Sequence, residues 1–261
     1  MIGWRSDVAA VTVEACQDFF DTYYAPNNFI IVVVGDFDQT ETLAHIERAF
    51  GTLPRGKEIV RSPTLEPEQN GERRAVVEFE VQAPLILAAW HAPKTGHPDG
   101  PALDVASQIL SGGRSSRLYR KIVYDAQVAR YASAYYVEYM HAGLFYAHAG
   151  VRPGQSIEEV ETLLFDEIER TAETGVSEAE VAKAIRQLEV SLVGGLGTTH
   201  AMASRIGLEI SFFGAVRPLE RRLEEIRQVT AADVQRVLQT YLRDPKRSVV
   251  WVVAPTVEEA N

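Results

Sequence analysis

Residues 11–36 read VTVEACQDFFDTYYAPNNFIIVVVGD, and residues 229–252 read VTAADVQRVLQTYLRDPKRSVVWV. Laid at a constant offset, they share Val11/Val229, Thr12/Thr230, Gln17/Gln235, Thr22/Thr240, Tyr23/Tyr241, Val32/Val250 and Val34/Val252. Each copy is a capped amphipathic helix, a turn holding a proline, and a β-branched apolar run. Agreement in element order as well as in residues points to duplication. The first copy reads as the tail of one unit and the second as the end of another. A lone helix-strand-helix of about 50 residues buries too little surface to stand alone. The remainder of the first unit is therefore expected upstream or in a partner chain.

Working outward, Thr12 opens a helix that puts Ala15, Phe19 and Tyr23 on one stripe and stops at Pro26. Cys16 lies within this helix and reads as a small core residue. Residues 29–34 read as a strand buried on both faces. Asp38 and Glu41 read as a capping box for a second helix, closed by Gly51. Residues 53–72 mix Pro54, Pro63, Pro67, Gly56 and Gly71 with charges and read as an exposed linker. A second run of elements follows. A half-buried strand carries Ala75, Val77, Phe79 and Val81, and a central strand spans residues 85–90. Pro101 starts a helix that ends before Gly112, and Ser115 or Ser116 caps another. A hairpin turns near residues 141–143. Ser156 with Glu159, and Ser177 with Glu180, read as capping boxes. Gly194, Gly195 and Gly197 read as a break between helices, Pro218 and Thr230 start two more, and residues 248–253 form a closing strand. The expected fold is α+β: an antiparallel or mixed sheet with helices packed on one face. Its domains are a partial first unit (1–54), a linker (55–72) and a complete second unit (73–258).

Of 261 residues, 26 are Lys or Arg and 36 are Asp or Glu, a formal charge of −10. Nucleic-acid binding needs a basic footprint, so it is not expected. The single cysteine excludes an intramolecular disulfide and a thiolate zinc cluster. The longest apolar run, residues 29–34, is too short to span a bilayer. Residues 1–7 hold no basic-then-apolar leader. The expected compartment is cytoplasmic or periplasmic, depending on what precedes this sequence.

The six histidines are His45, His91, His97, His141, His148 and His200, and no two stand four apart. H-E-x-x-H and H-x-x-E-H are both absent, so no metal site is expected, and the histidines read as surface or loop residues. No G-x-S-x-G elbow occurs. Asp36 and Asp38 read as turn and cap residues. The stretch Ser111-Gly112-Gly113-Arg114-Ser115-Ser116-Arg117-Leu118-Tyr119 precedes a helix. Its free N–H groups, with Arg114 and Arg117, suit a carboxylate or a peptide carbonyl, although a plain loop and cap also produce such a pattern.

The block from Tyr23-Tyr24-Ala25-Pro26-Asn27-Asn28 to Val32-Val33-Val34-Gly35-Asp36, together with Ser116-Arg117-Leu118-Tyr119, resembles the pitrilysin-type zinc peptidases, or inverzincins. The resemblance runs over almost the whole chain. It implies two homologous halves closing around a peptide, with zinc and H-x-x-E-H in the first. This sequence resembles the end of a first half followed by a complete, substrate-binding second half. The resemblance implies no catalytic residue and no cofactor here, with zinc in a missing or partner N-terminal half and a peptide as substrate. A homodimer is a further possible arrangement. Many members carry an Arg and a Tyr seven residues apart in the second half; in register these places hold Val123 and Arg130. Gly112, Gly113, Arg114 and Arg130 are thus the candidate substrate-binding residues, with Arg130 either facing substrate or paired with a carboxylate such as Asp125. The alternative is a catalytically silent peptidase-like subunit acting as a scaffold.

Overall fold

The computed structural model describes residues 3–59, 67–242 and 246–255. The chain separates into two compact units, one of residues 1–65 and 196–216 and one of residues 66–195 and 217–261.

The smaller unit holds α1 (Arg5–Ala9), α2 (Val13–Tyr23), a 3-10 turn (Pro26–Asn28) and α3 (Gln39–Phe50). The caps are those the sequence announces: Thr12 accepts from the Ala15 amide at 3.2 Å, and Asp38 from the Glu41 amide at 2.8 Å. Residues 29–34 are not the doubly buried strand expected. They pair with no strand among the described residues, and Phe29, Ile30, Ile31 and Val33 are 44–49% exposed. Cys16 is exposed rather than in a core. A distant helix joins this unit, Thr199–Phe213, which becomes α7 in chain order. Gly207 lies on the residue 29–34 segment, where an added β-carbon would sit 3.8 Å from Val32 Cγ2.

The larger unit runs β1 (Arg73–Glu78), β2 (Leu85–Ala92), α4 (Gly100–Ser111), a π-helical segment (Tyr119–Asp125), β3 (Ala129–Glu138), β4 (Gly143–Val151), α5 (Ile157–Thr174) and α6 (Glu178–Gly194). After α7 come α8 (Leu219–Arg227), α9 (Ala231–Tyr241) and β5 (Arg247–Val253). The sheet order is β1-β5-β2-β4-β3; β1 and β5 are parallel and the other pairs antiparallel. The α+β class and the mixed sheet follow the sequence reading.

Strand side chains alternate between faces. Ile86, Ala88, Trp90, Ala132, Ala134, Phe145, Ala147, Ala149 and Val249 all point to one face and are buried. The run of alanines lets α4, α5 and α9 lie close to the sheet, while Trp90 and Phe145 fill the space between. α6 and α8 pack on α4. Trp90 meets Phe165 edge-on, and the Arg247 guanidinium sits 3.8 Å over the Phe165 ring.

Four sequence expectations change. β1 is exposed at every residue rather than half-buried, because it is an outer strand. Part of the linker, 60–66, lies outside the described residues; Gln69 within it is buried, donating to the Gly71 and Arg247 carbonyls at 2.8 Å each. Neither Ser115 nor Ser116 caps a helix: Ser116 Oγ donates to the Gly113 carbonyl, and the helix that follows is π-type, with Ala126 N–H reaching Lys121 O. Two of the expected capping boxes are one-sided, since Asp38 and Ser156 accept from the third residue without a return bond; Ser177/Glu180 is reciprocal.

Phe145→Ala should cost about 3–5 kcal/mol in urea denaturation, the range for emptying a buried aromatic position. Leu87→Ala, on the opposite sheet face, should cost clearly less.

Candidate functional site

Gly112 ends α4: its N–H donates to Gln108 O at 2.7 Å, and a β-carbon there would stand 2.4 Å from that oxygen. Gly113 has φ +88°, which favours glycine. The Gly112 carbonyl accepts from Gln187, and the Gly113 carbonyl is taken by Ser116. Arg114 is exposed, with no hydrogen bond or ion pair among the described residues.

The charge that organises this loop is Arg117. Its Nε and Nη2 grip Glu180 at 2.8 and 3.0 Å. Nη1 donates to Thr171 Oγ1 at 3.2 Å and Nη2 to the Gly175 carbonyl at 3.1 Å. Glu180 also accepts from the Ser177 N–H and hydroxyl. The loop does hold a carboxylate, but it is the protein's own, at the junction of α5 and α6. Lys183 bonds Ser115 across the same junction. Arg117 beside it, helped by the Ser177 donors against the cost of burial, holds the Glu180 carboxyl down to about 2.

Arg130 falls in the one register shift of the β3–β4 ladder, between Ala129 and Tyr131. It is exposed, and no ion pair joins it to Asp125 among the described residues. Val123, at the other place implied by the resemblance, is a buried core residue. The shift at Arg130 sets the phase of β3. Beyond it, Tyr131, Ser133, Tyr135 and Val137 lie opposite Gly150, His148, Tyr146 and Leu144, on the face the helices leave open. Tyr131 meets His148 edge-on at 5.7 Å, His148 meets Tyr135 at 5.6 Å, and Tyr135 stacks on Tyr146 at 5.2 Å. Burial lowers the His148 pKa, so the imidazole is neutral at pH 7. The sequence alone reads His148 as a surface or loop residue and gives Tyr135 and Tyr146 no role. The alternation 131, 133, 135 against 146, 148 carried the signal, but pairing it required the bulge. At residues 134–136 the outer edge of β3 is capped: Ser111 Oγ donates to the Ala134 carbonyl at 2.7 Å, and Ser107 Oγ accepts from the Tyr136 N–H at 3.0 Å.

Among the described residues no cluster of three or more His, Cys, Asp or Glu is placed to hold a metal ion, and no helix is long and apolar enough to cross a membrane.

The family model described as the peptidase M16 inactive domain matches residues 10–188. An uncharacterized zinc protease of Streptomyces coelicolor is 28% identical over 257 residues, covering 96% of this chain and 56% of the relative. Zinc protease PqqE of Helicobacter pylori is 24% identical over 256 residues, covering 96% and 57%. The crystal structure of a protease from Helicobacter pylori superposes with a TM-score of 0.89 at 23% identity, over 97% of this chain and 61% of that one. The chain thus spans a little over half the length of these curated relatives.

Because Glu180 falls from an ordinary 4.5 to about 2 on folding, it contributes stability above pH 4.5 that is lost as the pH drops towards 2. Arg117→Ala should cost about 1–2 kcal/mol at pH 7, discounted for partial exposure. In urea titrations, the gap between wild type and Arg117→Ala should narrow between pH 4.5 and 2, leaving the share of the Thr171 and Gly175 hydrogen bonds.

Proposed function

This chain belongs to the peptidase M16 inactive domain family, and we propose from that premise that it is the C-terminal, peptide-contacting half of a zinc metallopeptidase. The zinc and its H-x-x-E-H motif belong to an N-terminal half or partner subunit. The observation that carries this reading is the uncovered state of the smaller unit. Only Ala25 is buried among its described residues. Phe19, Phe20, Phe37, Leu43 and Phe50 are 45–57% exposed, and residues 29–34 pair with no strand among the described residues. An apolar surface of this extent marks a protein interface, and the β-branched apolar run 29–34 suits a strand flanked by others. A second half supplying those strands completes the unit. The chain's own share is then the larger unit, whose open sheet face and Arg130 meet the peptide while hydrolysis occurs elsewhere.

A second reading, a scaffold subunit with no part in hydrolysis, draws on Val123 and Arg130. Val123 is buried and Arg130 stands on a bulge, so the Arg and Tyr expected from the resemblance are both replaced. The two readings separate in a reconstitution. The chain alone should bind no stoichiometric zinc and cleave no peptide; mixed with a zinc-bearing first half it should raise peptide hydrolysis. Arg130→Ala should lower the peptide affinity of the mixture by about 1–3 kcal/mol, the range for a lost charged hydrogen bond. One zinc per isolated chain, or a mixture no more active than the zinc-bearing half alone, would contradict the peptidase-half reading.

A further inference from the structure

We propose that the open-face row Tyr131, His148, Tyr135 and Tyr146 is a subsite that seats an uncharged aromatic or large aliphatic side chain of an extended peptide; this rests on the peptide-contacting reading above.

The row is shaped by Gly150. A β-carbon at that position would stand 2.5 Å from Tyr131 Cε1 and 2.8 Å from Cζ, so the Tyr131 ring occupies the space of the missing side chain. Tyr131 and Tyr135 each keep 40% of their surface exposed. Tyr139 stands beside Tyr146 at the far end of the row. The paired rings therefore form one apolar platform across two strands. It continues in register into Leu144, Leu87, Val250, Leu85 and Val252 on the same face.

Charge selects the occupant. The row carries no formal charge, and the charged residue next to it in β3, Arg130, is positive. A phenylalanine or leucine gains ring contact and burial there, whereas a lysine or arginine gives up its hydration for cation–π contact with the same rings and adds to the positive charge of Arg130. Backbone pairing along β3 at residues 134–136 is blocked by Ser107 and Ser111. Recognition there runs through side chains on the face, where Tyr131 and Tyr135 are the exposed rings.

The test uses fluorescein-labelled ten-residue peptides that differ only in a central Phe, Lys or Gly, titrated with this chain by anisotropy. The Phe peptide should bind about tenfold more tightly than the Lys or Gly peptide. Tyr135→Ala and His148→Ala should erase that preference and Tyr135→Phe should keep it, with circular dichroism confirming that each variant folds. Arg186→Ala, exposed on α6, should bind as wild type. Equal affinity for all three peptides, or a preference that survives both alanine variants, overturns the subsite while leaving peptide contact standing. Binding of none of them, with or without the zinc-bearing half, overturns both.

Discussion

The larger unit depends on a sheet buried on one face only. Small residues at Ala88, Ala132, Ala134, Ala147 and Ala149 let α4, α5 and α9 sit close, and Trp90 and Phe145 fill what remains. Because side chains alternate along a strand, the same choice commits every other residue to the opposite face. That face is not the polar surface such a sheet usually turns to water. It carries leucines, valines, three tyrosines and His148 alongside Ser133, Ser248 and His91. The burial that stabilises the fold thus also presents the face assigned here to peptide contact.

Charges in the larger unit are spent mostly on internal joins. Arg117 ties the loop after α4 to the α5–α6 junction, Arg222 holds Asp104 at 2.7 Å, and Arg236 holds Asp99 at 2.7 Å. Each links segments far apart in sequence, which helps a topology whose last strand lies between its first two. Arg114 and Arg130 stand outside this network. The glycines before Arg114 serve backbone geometry: Gly112 because a β-carbon would strike Gln108 O, Gly113 because of its positive φ.

Much of this was legible from period and caps. Thr12, Asp38, Ser177 and Thr230 each open a helix where their side chains announce it, and the β3–β4 hairpin and mixed sheet follow. These signals are local. Three others were not. The strand propensity of residues 29–34 could not reveal that no partner strand accompanies them among the described residues. The π-helical turn after Leu118 and the bulge at Arg130 shift phase by one residue without a sequence marker, which hid the row of Tyr131, Tyr135, Tyr146 and His148. The assignment of Arg117 to Glu180 spans residues 63 apart and needed the fold. Resemblance to a peptidase family named the class of protein, while the geometry supplied which residues face outward.

The central claim is that the smaller unit is completed by strands from a zinc-bearing half. Hydrogen exchange across residues 30–34 tests it most directly, since their amides donate to no backbone carbonyl among the described residues. In the isolated chain these amides should exchange fast, and on addition of the zinc-bearing half they should become protected together with the apolar side of α2. Full protection in the isolated chain, or exchange unchanged in the mixture, would contradict it.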